Sequence, residues 1–212
     1  MLLAVALGSG VAGWYYSETS TLKRLLRGSK ACAIENVPEG KPAKITGRLH
    51  LLGKVLHSPI TGRSCAYYQL IVSVDNSDKY RGGWERILEE EECVDFELED
   101  ETGRALVESA NSKTVAASEE IEVGDSEDAS ERLRSFLAAR SVVAKALASG
   151  RRVQFLEAAL EPGEKVSVIG IGVREVDPKA APVGYREAPT MRLRIEGTSK
   201  RPVVISDIAS VH

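Results

Sequence analysis

Soft metal ligands are scarce in this 212-residue chain: three cysteines (Cys32, Cys65, Cys93) and three histidines (His50, His57, His212), with no CxxC pair. A disulfide framework needs an even, closely spaced set, and a structural zinc site needs four ligands at finger or ribbon spacing. Neither is expected, and no metal or other cofactor is assigned. Aromatic residues are 5% of the total, which leaves few platforms for stacking single-stranded bases. A basic excess is missing too: 28 Lys and Arg stand against 31 Asp and Glu, a formal charge of −3. Nucleic acid is therefore not an expected partner.

Charge is also absent from the first sixteen residues, MLLAVALGSGVAGWYY. As a helix this run spans about 24 Å, slightly less than a hydrocarbon core. Trp14, Tyr15 and Tyr16 stand where an aromatic belt meets the interface, and Lys23, Arg24, Arg27 and Lys30 follow. A cleaved signal peptide would carry basic residues before the apolar run, and Gly8, Gly10 and Gly13 suit a water-soluble helix poorly. The pattern predicts a transmembrane anchor with a basic juxtamembrane segment over residues 1–27, contacting the lipid bilayer. The basic flank places the rest of a single-pass protein on the cytoplasmic side, at the plasma membrane if the source is prokaryotic.

Residues 28–42, punctuated by Pro38, Gly40 and Pro42, are expected to be a linker. One β-rich domain is expected over 43–208, with a helical insertion at 111–150. Lys44 to Val55, interrupted by Gly47 and Gly53, predicts a bent or bulged first strand. Ser58-Pro59-Ile60-Thr61-Gly62 predicts a tight turn, because proline presets φ and glycine accepts a positive one. Cys65 to Val74 is the strongest strand, with Ala66, Tyr68, Leu70, Val72 and Val74 on its core side. A polar loop over Asn76 to Gly83 leads to an antiparallel return at Trp84. Strands are also expected at Cys93 to Leu98 and Arg104 to Val107 around an Asp100-Glu101-Thr102-Gly103 turn closed by Asp100.

The Glu89 to Glu92 run is expected to be a solvated edge rather than a cation site. Asp128 to Ser149 predicts one helix, opened by an Asp128/Glu131 capping box, closed at Gly150, and carrying Arg132, Arg134 and Arg140 toward solvent. Two hairpins should follow, over Glu161 to Glu164 and over Glu196 to Arg201, separated by a Pro-rich loop from Glu175 to Pro189. The fold class is mainly β (α+β): a small antiparallel, OB-like barrel or curled sheet with one packed helix, preceded by the N-terminal transmembrane helix.

Catalytic patterns are weak. Cys65 and His57 lie across one turn, but a cysteine opening a central strand is more simply a core residue. Asp95, Asp100 and the Glu89 to Glu92 run supply carboxylates that nothing aims at a common point, and Gly170 and Gly172 lack the rest of a phosphate loop. Four blocks of residues carry a resemblance instead: Ser58-Pro59, Gly62, Cys65 and Tyr67-Tyr68; then Trp84; then DFELEDETG from Asp95 with Leu106-Val107; then Leu160 to Glu164 with Val166, Val168 and Gly170. In this order beside an apolar segment, they resemble the GIDE domain, also called the BAM ("beside a membrane") domain, found in mitochondrial RING ubiquitin ligases and many prokaryotic relatives.

The resemblance covers roughly Ala43 to Asp207 and implies an anchored β-rich module that binds partners near the bilayer. A RING needs eight Cys/His ligands for two zinc ions, so RING-dependent ubiquitin ligation is not expected of these residues. The expected function is a membrane-anchored GIDE-type module binding a protein partner or small ligand, through a rim formed by Ser58, Thr61, Arg63 and Tyr67. The alternative is an enzyme or ubiquitin-transfer-related protein with an unrecognised site.

Overall fold

A computed structural model describes residues 10–76, 83–121, 127–178 and 191–208. Its helices are α1 (Gly10–Gly28), α2 (Glu127–Ala139) and α3 (Ser141–Ala148). Its strands are β1 (Pro42–Leu51), β2 (Leu56–His57), β3 (Ser64–Cys65), β4 (Tyr67–Asp75), β5 (Trp84–Cys93), β6 (Phe96–Asp100), β7 (Gly103–Val107), β8 (Ser112–Thr114), β9 (Glu119–Glu120), β10 (Val153–Leu160), β11 (Lys165–Val176), β12 (Met191–Glu196) and β13 (Val203–Ser206). The single domain expected over 43–208 divides into two compact units, and the 111–150 insertion is divided between them. The first draws on Leu7–Lys54, Val94–Ala116 and Pro162–His212, the second on Val55–Cys93 and Ala117–Glu161.

The first unit is a closed five-stranded barrel. Strand β1 pairs antiparallel with β6 along Arg48↔Glu99 to Leu51↔Phe96 and with β11 along Pro42↔Ile171 to Arg48↔Lys165. β6 and β7 form a hairpin, β7 runs parallel to β12, and β12 returns antiparallel on β11, so the ring runs β1-β6-β7-β12-β11 and back to β1. Alternation fills the interior: Ile45, Leu49, Phe96, Leu98, Ala105, Val107, Val166, Val168 and Ile195 are fully buried. The first strand runs from Pro42 to Leu51 with no shift of register against β11 or β6, so the expected bulge is not formed; Gly47 serves close approach instead, since a Cβ on it would stand 2.6 Å from the Glu99 carbonyl oxygen. Only glycine lets the two backbones approach so closely.

Segment 28–42 is more than a linker. Ile34 and Val37 are buried, a short 3-10 turn covers Ile34–Asn36, and Ala31 and Glu39 form isolated bridges to Lys44 and Gly172. The Asp100 turn closes as predicted, with Oδ1 accepting from the Thr102 N–H at 2.7 Å, the Thr102 hydroxyl at 2.6 Å and the Gly103 N–H at 3.1 Å. Its Oδ2 also accepts the Ile34 N–H at 2.8 Å, which ties segment 28–42 to the barrel.

Burial works to raise the Asp100 pKa, but the bonds from Thr102, Ile34 and Gly103 outweigh it and hold the carboxyl below its ordinary value. A depressed folded pKa adds stability that is present above the unfolded value and lost as pH falls through the folded one. Asp100→Asn is therefore expected to lower barrel stability at neutral pH and to flatten the stability curve below about pH 4. Urea unfolding at a series of pH values checks this, and an unchanged acid limb would contradict it.

The predicted hairpin over Glu161 to Glu164 does not form. β10 pairs with β4 and β9, whereas β11 pairs with β1, β12 and β13. The turn itself is present, but its polar groups go to β1: the Gly163 N–H donates to the Leu49 carbonyl at 2.8 Å and the Leu49 N–H to the Glu164 carbonyl at 2.9 Å. Likewise β12 and β13 do not pair as a hairpin; both lie along β11, and only Thr198 and Arg201 bridge between them. Local residues specify a turn, but the strands leaving it bond wherever a free edge is offered.

In the second unit β4 is central, in a sheet ordered β5-β4-β10-β9 beside the small β2/β3 hairpin. The antiparallel return begins at Asp75↔Trp84, as predicted. Leu70 and Val72 enter a core with Ile60, Phe136, Val143 and Phe155, which fits the face assigned to β4. The predicted single helix is broken: Arg140 adopts φ −134°, ψ 80°, separating α2 from α3. The side chain of Asp128, and with it the capping box, lies outside the described residues, as do residues 179–190 of the Pro-rich loop and 77–82 of the polar loop.

Candidate functional site

The turn before β3 is organised around a buried charge on β10 that sequence reading missed. In the strand VQFLEAAL, Glu157 is fully buried. Its Oε1 accepts the Ile60 N–H at 2.8 Å, and its Oε2 accepts the Thr61 N–H at 3.2 Å together with the Thr61 hydroxyl. The Arg63 guanidinium faces the same oxygen at 3.8 Å. A buried carboxylate is tolerated only when paired and hydrogen-bonded in this way. The available signal was the one charged residue in a strand that, Gln154 apart, is otherwise apolar.

The loop closes on itself around that anchor. The Gly62 N–H donates to the Ser58 carbonyl at 3.0 Å, the Ser58 N–H to the Arg63 carbonyl at 3.0 Å, and the Arg63 N–H to Ser58 Oγ at 3.0 Å. Ser58 Oγ also lies 2.7 Å from Thr61 Oγ1. Arg63 donates through Nε to Thr61 Oγ1 and through Nη1 to Glu161, both at 3.0 Å. Ser58, Thr61 and Arg63 are thus brought together, with Thr61 and Arg63 partly exposed and Ser58 buried at 2%.

Tyr67 departs from the expected rim. It is 2% exposed, and its hydroxyl donates to Glu91 at 3.2 Å. The Glu89 to Glu92 run lies on β5, an edge strand as expected, with Glu89 and Glu91 exposed, and each of its carboxylates also has a partner. Gln69 donates to Glu89 at 3.0 Å, Tyr68 to Glu92 at 3.5 Å, and Arg140 forks onto Glu90, with Nε at 2.6 Å. Arg140, expected in solvent, is half-buried because the break between α2 and α3 turns it onto β5. Among the described residues no cluster of three His, Cys, Asp or Glu side chains could hold a metal.

A Cys65–His57 dyad is not assembled. The strand register sets Cys65 opposite Leu56 and His57 opposite Ser64, whose hydroxyl lies 3.5 Å from His57 Nδ1. Cys65 is fully buried, with Sγ 3.7 Å from the Leu56 carbonyl oxygen. Burial, reinforced by the charges of Glu157 and Glu161, pushes its thiol up to about 11. Such a thiol carries little thiolate at neutral pH and is a core residue.

Beside the turn, a cleft of about 600 Å³ opens to solvent between Pro59 and the helix residues Glu131, Arg132, Ser135, Phe136 and Arg140. Arg132 Nη1 donates to the Thr61 carbonyl at 2.8 Å. Gly62 has φ +69°, which favours glycine in the turn, and a Cβ there would stand 2.2 Å from that Nη1, so a larger residue would push the guanidinium from its present place. Arg140 lies over the Phe136 ring at 4.3 Å. No protein-family model, curated protein or solved structure matches this chain.

Proposed function

We propose that this chain is a GIDE/BAM-type module, anchored in a membrane through residues 1–27, that docks a protein partner or small ligand beside the bilayer on the cytoplasmic side. The order of the barrel supports its OB-like character. Numbered along the chain the five strands close as 1-2-3-5-4, with the third and fifth parallel, as the Greek-key path of an OB barrel requires.

The observation that carries the reading is the course of α1. It runs unbroken from Gly10 to Gly28, past the aromatic belt and into the basic segment. Its last turns are built into the barrel unit: Leu26 is fully buried against Ile169 and Val204, Leu22 packs beside it, and the buried Lys44 ammonium donates to the Leu26 carbonyl at 2.9 Å. From Tyr16 to Leu26 the helix rises about 15 Å, so a segment that enters a bilayer at the belt holds the barrel close to its surface. Among the described residues no helix is long and apolar enough to cross a membrane; the apolar start of the run, residues 1–9, lies outside them.

Carbonate extraction of expressing cells is the test. The full chain is expected in the membrane pellet, and deletion of residues 1–16 is expected to release it with the barrel's melting temperature preserved. Recovery of the full chain, residues 1–27 intact, in the soluble fraction would sink the anchor.

A further inference from the structure

We propose that the cleft beside the 58–63 turn receives an acidic peptide segment of a partner protein, with one carboxylate seated on Arg132. This deepens the docking reading above and rests on it. The cleft's 600 Å³ falls within the roughly 300–1,000 Å³ typical of ligand sites, and its broad opening suits a chain that passes through rather than an enclosed molecule.

The two guanidinium groups in the cleft are not equivalent. Arg140 is already charge-paired, forked onto Glu90 and stacked on Phe136. Arg132 is exposed, and among the described residues its one hydrogen bond is to the Thr61 carbonyl, which neutralises no charge. Most of its fork remains available, and the Thr61 bond pre-orients the group at little further entropic cost. Ser135, one helical turn on, adds a hydroxyl to the same lip, and Pro59 offers an apolar wall to a neighbouring side chain.

Glu131 decides between anions. Standing in the same cleft, it repels a dianionic phosphate more strongly than a singly charged carboxylate, and the chain's net charge of −3 disfavours polyanions further. A single carboxylate flanked by peptide N–H groups meets both residues favourably, with the carboxylate on Arg132 and an N–H on Glu131.

The test uses the full chain in detergent micelles and fluorescein-labelled peptides, each with one glutamate between apolar neighbours, read by anisotropy at low salt. Matched peptides carry glutamine or phosphoserine at that position. Binding of the glutamate peptides is expected, weakened about tenfold or more by glutamine, as loss of a charge-assisted bidentate contact implies. Phosphoserine peptides are expected to bind more weakly than glutamate. Arg132→Glu should abolish binding without moving the melting temperature, and Arg132→Lys should weaken it. Arg134→Glu, on the same helix but outside the cleft, should leave it intact.

Equal affinity for glutamine, preference for phosphoserine, indifference to Arg132→Glu, or no binding by any glutamate peptide would each overturn the assignment. Carbonate extraction reads the anchor separately, so failure of peptide binding in a membrane-bound chain removes this ligand and leaves the tether standing.

Discussion

Glu157→Ala is expected to destabilise the second unit by about 3–5 kcal/mol, the usual cost of removing one member of a buried, hydrogen-bonded charge cluster. Ile60 and Thr61 would lose the acceptor for their N–H groups, Thr61 the acceptor for its hydroxyl, and Arg63 its buried counter-charge. Each buried donor left unsatisfied costs about 1–3 kcal/mol. Glu157→Gln preserves shape and one acceptor, and its loss should be smaller; its amide nitrogen would still oppose donors at one of the two positions. Urea unfolding gives the magnitude, and amide hydrogen exchange at Ile60 and Thr61 gives the location. A loss below about 1 kcal/mol with both amides still protected would show that the carboxylate does not hold the turn.

Gly47→Ala should be the corresponding lesion in the barrel. The new Cβ would stand 2.6 Å from the Glu99 carbonyl oxygen, 3.0 Å from its carbon and 3.1 Å from its nitrogen. All three are backbone atoms, so no side chain can swing aside, and β1 must part from β6 at the register where they meet, Arg48↔Glu99. Overpacking of this kind costs about 1–3 kcal/mol, with the upper end expected where backbone must move. Gly28→Ala is the control, since a Cβ there meets nothing within 4 Å. Equal melting temperatures for the two variants would mean that the close approach of β1 to β6 at Gly47 is not what requires glycine there.

What could be read along the chain was what neighbours in sequence decide. The Ser58 to Gly62 turn, the Asp100 turn, the return at Trp84 and the core face of β4 depend on proline, glycine, aspartate and two-residue alternation, and these act over a few bonds. A barrel or curled sheet of short antiparallel strands was legible for the same reason, but its closure through β1 and β11 and the parallel pairing of β7 with β12 were not. Three of the four proposed site residues do converge, but Ser58 and Tyr67 proved buried. Tyr67 lies on the side of β4 opposite the core-facing set, and nothing in the chain announces that β5 carboxylates cover that side.

What only the tertiary structure decided was which distant groups meet. The Glu161 to Glu164 turn has every local mark of a hairpin, yet its two strands belong to different sheets because β4 and β1 offer them better edges. Glu157 could be seen as a charge in a mostly apolar strand, but its partners lie almost a hundred residues earlier. The cleft depends on Gly62, Thr61 and Arg132 meeting across about seventy residues. Composition alone determined that a metal scaffold and a nucleic-acid footprint are not expected, since ligand supply and charge are sums over the chain. A docking lip is a matter of position, and position is set by which hydrogen-bonding edges and buried charges find each other when the chain folds.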